Sequence, residues 1–500
     1  MTSTANPPIT SPAGGSRSGV TVTPGRLFLG GEWVDGGDRR RPVIDPATGA
    51  EVTTVAEAGA EDVDRAVAAA RRAFDSGVWS RLPARERGRV LIRAANLLRE
   101  RSEEFARLES LDTGKPLVFS RVIDVSTAAE MLEYYGSLAG SVEGSVRSTG
   151  APMMAYTRRE PLGVVAAITP FNFPLVLSVS KIAPALAAGN ALVHKPSEET
   201  PLTALRMADV LAEAGVPAGI FSVLTGGSEA GQALAAGRRV DKIAFTGSTA
   251  VGRKIAAAAG ENLQHATVEL GGKSANLIFA DADIEAAVGT AINGFVYNTG
   301  QFCMAGSRVL VERPVYDQVV EAIAAASAHV PVGDPFDEGT VIGPMTGPRH
   351  LEKVRSFLRR AQEGGARVLG AGAAEPEAVT AGGYFTRPTV LADVAQDSPF
   401  VQEEIFGPVL TVQPFDSEDE AIRLANDTPY GLAAGLQTRD VTRAHRVAAA
   451  LQAGLVWVNG WGVLDVAMPI GGYKASGYGR ECGPEGLDEY LQTKSVLISL

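Results

Sequence analysis

The sequence predicts an α/β protein built on a doubly wound parallel sheet, followed by a second α/β unit. Three observations predict it. Short apolar runs, VVAAITP (164–170), NALVHKP (190–196), FSVLTG (221–226), KIAFTGS (242–248) and ATVELGG (266–272), recur through the middle of the chain. Helical stretches such as LVLSVSKIAPALAAG and PLTALRMADVLAEAG separate them, and strand–helix–strand alternation at roughly 20–30 residues is the pattern of a parallel sheet covered by helices. Polar residues, Thr169, Asn172, Lys195, Gly247, Ser248 and Glu269, cluster at the ends of these runs, where such sheets bind ligands.

The remaining elements follow in chain order. Residues 1–26 read as a disordered tail, because Met1 to Pro24 is rich in Ser, Thr, Pro and Gly and has no apolar core of a secretory signal. Order is expected from Leu27, with LFLGGEWV a strand broken by a Gly-Gly turn. Apolar spacings of three and four predict helices over Asp62–Phe74, from Pro83 through Ser110, and over Val125–Gly140. Helix breakers and alternation around 143–160 suggest an exposed ribbon. A second α/β stretch spans 271–474, and the chain ends on TKSVLISL, a strand with no partner nearby in sequence.

Composition narrows the function. The 500 residues are 45% hydrophobic and 21% charged, as in a folded chain with a large core. A net charge of −11 disfavours nucleic acid and anionic membrane as partners. Two cysteines, Cys303 and Cys482, fit a reducing cytoplasm without disulfides, and no spacing suggests a metal site.

Five features have chemical potential, each with a plainer alternative. Cys303, between Gly300 and Gly306, is either a nucleophile or an inert buried thiol. Glu269, at the end of an apolar strand, is either a desolvated general base or a solvated turn residue. Asn172 either caps the helix beginning near Pro174 or offers its amide to an oxyanion. Gly247 and Ser248 open a helix that either binds phosphate or binds nothing. Lys195 and Glu198 either meet ribose hydroxyls or lie in a solvated loop.

Taken together and in order, these residues resemble the aldehyde dehydrogenase superfamily. The resemblance runs from Leu27 to Leu500 and is carried by PFNFP (170–174), KPSEETPL (195–202), FTGSTAVG (245–252), VELGGKS (268–274), GQFCMAG (300–306), EEIFGPV (403–409) and GGYKASGYGRE (471–481). It implies a Rossmann-type cofactor domain (27–142 and 161–270), a catalytic domain (271–474) and small bridging elements (143–160 and 486–500). The terminal strand would pair with a neighbouring subunit, giving dimers or tetramers.

The same resemblance implies roles. Cys303 would attack the aldehyde, Asn172 and the Cys303 N–H would hold the oxyanion, hydride would pass to NAD, and Glu269 would activate the water that hydrolyses the thioester. Lys181 and Glu481 would relay protons from that base. Thr169, Pro170, Phe171, Lys195, Glu198, Gly247, Ser248, Gly271, Glu404 and Phe406 would contact the cofactor; Glu198 opposes the 2′-phosphate of NADP, which stays open as a second cofactor. Phe171 stands where the family often has Trp.

The substrate tunnel would be lined by Phe173, Leu177, Tyr297, Phe302, Met304, Trp461, Leu464 and Ile470, all apolar or aromatic. This favours uncharged aliphatic or aromatic aldehydes. Betaine aldehyde or an aminoaldehyde, caged by Tyr297 and Trp461, is the alternative. Two readings from other classes are a thiol esterase or acyltransferase using Cys303 without redox, and a catalytically silent protein on the same fold.

Overall fold

The computed structural model describes residues 18–20, 22–370 and 382–499. Five strands, Val164–Ile168, Ala191–Lys195, Phe221–Val223, Lys242–Thr246 and His265–Glu269, form the parallel centre of an eight-stranded sheet. The first four are buried at every residue. Helices cover both faces, so these strands read as unbroken apolar runs and not as alternation.

From Val164–Ile168 the sheet grows outward through Ala191–Lys195 and Phe221–Val223. The chain then crosses back to place Lys242–Thr246 and His265–Glu269 on the other side. The crevice at such a reversal is where doubly wound sheets take ligands. Thr169, Lys195, Gly247 and Glu269 sit at the strand ends around it. The hairpin Leu27–Leu29/Glu32–Val34 borders one edge, and Gly477–Tyr478, antiparallel to His265–Glu269, closes the other.

A second sheet of seven strands follows in the order Arg367–Gly370, Thr389–Ala392, Val409–Phe415, Arg308–Glu312, Ala275–Ile278, Ala433–Gln437 and Leu455–Val458. All neighbours are parallel except the first pair. A three-stranded ribbon joins Leu491–Ser499 to Met153–Pro161 and Val146–Arg147.

The helix Pro174–Ala188 is buried almost all round, as its apolar sequence requires. Pro174 occupies its first turn, where a missing N–H costs nothing.

The structure corrects several expectations. Of the tail assigned to 1–26, residues 1–17 and 21 lie outside the described residues, and the rest is tied down before Leu27. Ser18 is buried, with its carbonyl accepting from Arg107, and Gly25 N donates to the Thr54 carbonyl at 2.8 Å. The long helical pattern from Pro83 divides at Arg101 into Ala84–Glu100 and Ser102–Thr113. A hairpin, Arg40–Ile44 with Glu51–Ala56, went unread because its strands are short and largely polar. Of the expected bridging elements, Leu491–Ser499 pairs with Met153–Pro161 along one edge and has no strand on its other edge among the described residues; Leu500 lies outside them.

Gly477 has φ +116°, and a Cβ there would lie 1.9 Å from the Val268 carbonyl oxygen, one residue before Glu269. Gly477→Ala is expected to cost about 2 kcal/mol or more. Thermal unfolding would show a clearly lowered midpoint; an unchanged midpoint would contradict so close an approach of the two strands.

Candidate active site

Cys303 follows a loop that the backbone holds tightly. Asn298, Thr299 and Gly300 all have left-handed φ, +51°, +55° and +69°. Two non-glycine residues in that region persist only where surroundings enforce them. The enforcement is visible. Asn298 Nδ2 donates to the carbonyls of Asn172 (2.8 Å) and Gln301 (3.1 Å), and Thr299 Oγ1 donates to the Gly343 carbonyl (3.0 Å). Gln301 Oε1 accepts from Thr346 N at 3.0 Å.

The Cys303 thiol is half-buried, and its ionisation is pushed up to about 12. Burial is the largest cause, followed by the carboxylates of Glu404 and Glu269; the N–H groups of Cys303 and Met304 act in the opposite sense. The resting group is therefore a thiol with donors already aimed at its sulfur.

Asn172 Nδ2 donates to the Gln301 carbonyl at 2.9 Å, tying the amide to the loop of the thiol. Phe173, not Asn172, is the N-cap of the following helix, and no side chain caps it, so the capping alternative is set aside. Only one of the two amide hydrogens is committed, which leaves the other as a donor. Asn172 Oδ1 is buried without a partner.

Glu269 ends its strand 7% exposed, and its Oε1 is buried without a partner. Burial drives its carboxyl well above the usual carboxylate range, and Glu481 adds to this; Lys181, Arg480 and the Gly472 N–H oppose it. The solvated-turn alternative does not describe this group. Lys181 Nζ, inside the buried helix, bonds Glu481 Oε1 at 2.6 Å and Thr246 Oγ1 at 2.7 Å. Ser180 Oγ donates to Glu481 Oε2 at 3.0 Å.

The glycines after Glu269 allow two close approaches. A Cβ on Gly271 would lie 2.3 Å from Glu404 Oε2, and one on Gly272 would lie 2.4 Å from the Cys303 carbonyl oxygen. Gly272 N donates to Glu404 Oε1 at 3.0 Å. This places Glu404 beside the thiol, although it comes from far along the chain.

The other expected cofactor residues surround the crevice. Thr169 Oγ1 bonds His194 Nε2 at 3.0 Å, and Lys195 Nζ donates to the Pro196 carbonyl (3.0 Å) and faces Glu198 at 3.5 Å. Ser248 is exposed and is the N-cap of Thr249–Asn262, accepting from Val251 N, so its oxygen has a local structural use. Pro170 and Phe171 are half-buried. The Phe171 ring lies 4.1 Å from His350 and edge-on to Phe406 at 5.8 Å. A helix start with an exposed N-cap at Ser248, one nearly buried lysine and a carboxylate at the switch point suit a dinucleotide.

Phe173, Leu177, Tyr297, Phe302, Met304, Trp461 and Ile470 gather in one apolar cluster with Cys303. Phe173, Tyr297 and Phe302 form a triangle with centroid separations of 5.6–5.7 Å. Leu464 is 42% exposed and outside the cluster, because its loop turns toward solvent. Trp461 is poorly placed as a cage wall. Its Nε1 donates to the Met304 carbonyl, its ring packs 4.9 Å from Trp457, and Cβ atoms on Gly306 and Gly435 would meet it at 3.1 and 2.8 Å.

Sequence reasoning missed Trp457, His350 with its partner Glu199 (2.8 Å), and a buried group, Lys115, Asp124 and Glu109, behind Phe173. Trp457 stands four residues before Trp461, while the others reach the site from distant segments. Only the Gly114-Lys115 turn after a helix carried a local signal. Among the described residues no cluster of His, Cys, Asp and Glu has the arrangement of a metal site, and no helix is long and apolar enough to cross a membrane.

The doubly wound sheet, with a thiol, an amide donor and a buried carboxyl near its switch point, has the form of an oxidoreductase. Residues 33–496 match the Aldehyde dehydrogenase family, and the chain belongs to that family. It is 45% identical to a betaine aldehyde dehydrogenase of Vibrio vulnificus over 91% of this chain and 94% of that protein. Among solved structures, a betaine aldehyde dehydrogenase of Staphylococcus aureus in complex with NAD+ is 40% identical, with a TM-score of 0.93 over 95% of this chain and 94% of that one. An indole-3-acetaldehyde dehydrogenase of P. syringae in complex with NAD+ and IAA is 41% identical, with a TM-score of 0.93 over 95% of this chain and 97% of that one.

Because Glu404 is the leading charged neighbour that holds the thiol protonated, Glu404→Gln is expected to lower its pKa and speed its alkylation. Iodoacetamide at pH 8 should react about threefold faster or more. An unchanged or slower rate would contradict this placement of the carboxylate.

Proposed function

We propose that this protein oxidises an uncharged aliphatic or aromatic aldehyde to the carboxylic acid, with NAD as electron acceptor. The observation that carries this is the Cys303 thiol, set in an apolar, largely aromatic cluster and flanked by Asn172 and Glu269. The relatives whose solved structures hold NAD+ support the cofactor. Lys195, Glu198, Ser248 and Glu404 would hold it, and Glu198 would repel a 2′-phosphate, which favours NAD over NADP.

The chain's own residues do the following. Cys303 Sγ adds to the carbonyl carbon and its proton is lost to Glu269, whose high proton affinity suits that task. The free hydrogen of the Asn172 amide and the Cys303 N–H hold the carbonyl oxygen as it gains charge. When bound, the nicotinamide supplies a hydride acceptor. Glu269 then takes a proton from the water that attacks the thioester, and the C–S bond breaks to release the acid and restore the sulfur. Glu481 and Lys181 carry the proton away from Glu269.

A second reading, betaine aldehyde or an aminoaldehyde, is favoured by the Vibrio vulnificus relative. The use of the Trp461 ring in packing weighs against it. A cytoplasmic setting and a dimer or tetramer, with the outer edge of Leu491–Ser499 available to a second subunit, complete the proposal.

Cys303→Ala is expected to abolish NADH formation while NAD still binds, and Asn172→Ala to lower turnover by ~10²–10³. Retained turnover in Cys303→Ala would remove the nucleophile. A panel of aldehydes with NAD and NADP in parallel, followed at the NADH absorbance, tests the substrate; a sharp optimum for trimethylammonio- or aminoaldehydes would favour the second reading.

Glu269 must be unprotonated to take the proton of water, and its pKa is raised. Turnover should therefore rise with pH through a value above the ordinary carboxylate range and fall as pH drops below it. Glu269→Gln should flatten this limb and lower the rate by ~10²–10⁴; a limb that survives the substitution belongs to another group.

A further inference from the structure

Behind the aromatic triangle lies a charge that no tunnel residue reveals. Lys115 Nζ sits 4.0 Å from the centroid of the Phe173 ring, and its side chain is fully buried. It bonds Asp124 Oδ1 at 2.6 Å and lies 3.9 Å from Glu109 Oε1. Its backbone is fixed by the turn at Gly114, whose φ is +80° and where a Cβ would lie 2.5 Å from Pro344 Cγ. Lys115 N donates to Thr113 Oγ1 at 3.1 Å. The ammonium is thus held against one face of a ring that packs against Tyr297 and Phe302, in the same cluster as Cys303.

An aromatic face attracts a cation through the negative potential of its π electrons. A ring that already holds an ammonium on one face has that density drawn toward it, and the ammonium's own field reaches through the ring in surroundings that screen it weakly. The remaining surface of Phe173 is then a poorer wall for a second cation and an unaltered one for an alkyl or aryl group. Asp124 at 2.6 Å and Glu109 at 3.9 Å from the ammonium moderate the field at the ring.

We propose that Lys115, acting through Phe173, is a positioning residue that sets the charge preference of the substrate tunnel, biasing it against aldehydes with a cationic head group and toward uncharged ones. The inference rests on the substrate reading above and adds the residue that enforces it.

The test uses two aldehydes of nearly equal shape, betaine aldehyde and 3,3-dimethylbutanal, which differ in a trimethylammonium against a tert-butyl group. The readout is the ratio of their kcat/KM values, cationic over neutral, with NAD saturating. In the double variant Lys115→Met/Asp124→Asn, which removes the ion pair at similar volume, the ratio is expected to rise roughly threefold to tenfold. In Asp124→Asn, which leaves the ammonium without its closest counterion, the ratio is expected to fall. General loosening of the core would lower both kcat/KM values together and leave the ratio in place, so a ratio constant within twofold in both variants overturns the proposal. If the double variant does not fold, Asp124→Asn alone decides by the direction of its shift. A wild-type ratio strongly favouring betaine aldehyde would overturn the substrate reading, while the shift between variants would still report on Lys115. Oxidation of neither aldehyde would overturn both.

Discussion

Desolvation at the meeting of the two large sheets is the constraint on which the rest of this structure depends. The Glu269 carboxyl is buried, the Cys303 thiol and the Glu404 carboxyl are half-buried, and burial is the leading cause of every shift they show. In water the three would be an ordinary thiol and two ordinary carboxylates. Here burial shifts all three toward their protonated forms. The apolar sheet cores and the aromatic cluster that exclude water are therefore part of the chemistry.

That exclusion depends on backbone passing very close to backbone. The stretch from Glu269 to Gly272 leaves the first sheet, passes Glu404 and the Cys303 carbonyl, and enters the second. Side chains at 271 and 272 would force these apart. The return of Gly477–Tyr478 to pair with His265–Glu269 holds the Glu269 strand from its other side. Glu269 is thus gripped by segments more than two hundred residues apart in sequence.

The sheet architecture was legible because buried parallel strands write themselves as apolar runs punctuated by Gly, Thr and Asn at their ends. The polar hairpin Arg40–Ile44/Glu51–Ala56 left no such trace, and the split at Arg101 interrupts a pattern without changing its period. At the site, the residue types of Cys303, Asn172 and Glu269 raised hypotheses, yet their mutual approach came only with the fold and with the family likeness. His350 and the Lys115 contact with Phe173 were illegible for a simple reason: each acts on a carboxylate or ring contributed from far along the chain, and a local window holds only one partner of such a pair. Leu464 shows the converse, an apolar residue at a plausible position whose loop carries it outward.

Gln301 is bonded at both ends of its residue: its carbonyl takes the amides of Asn172 and Asn298, and its side chain takes the backbone of Thr346. The loop of Cys303 and the side-chain amide of Asn172 are consequently mounted on one bracket. Displacing either one would strain the bonds at Gln301, so thiol loop and amide keep a single mutual geometry although they come from segments about 130 residues apart.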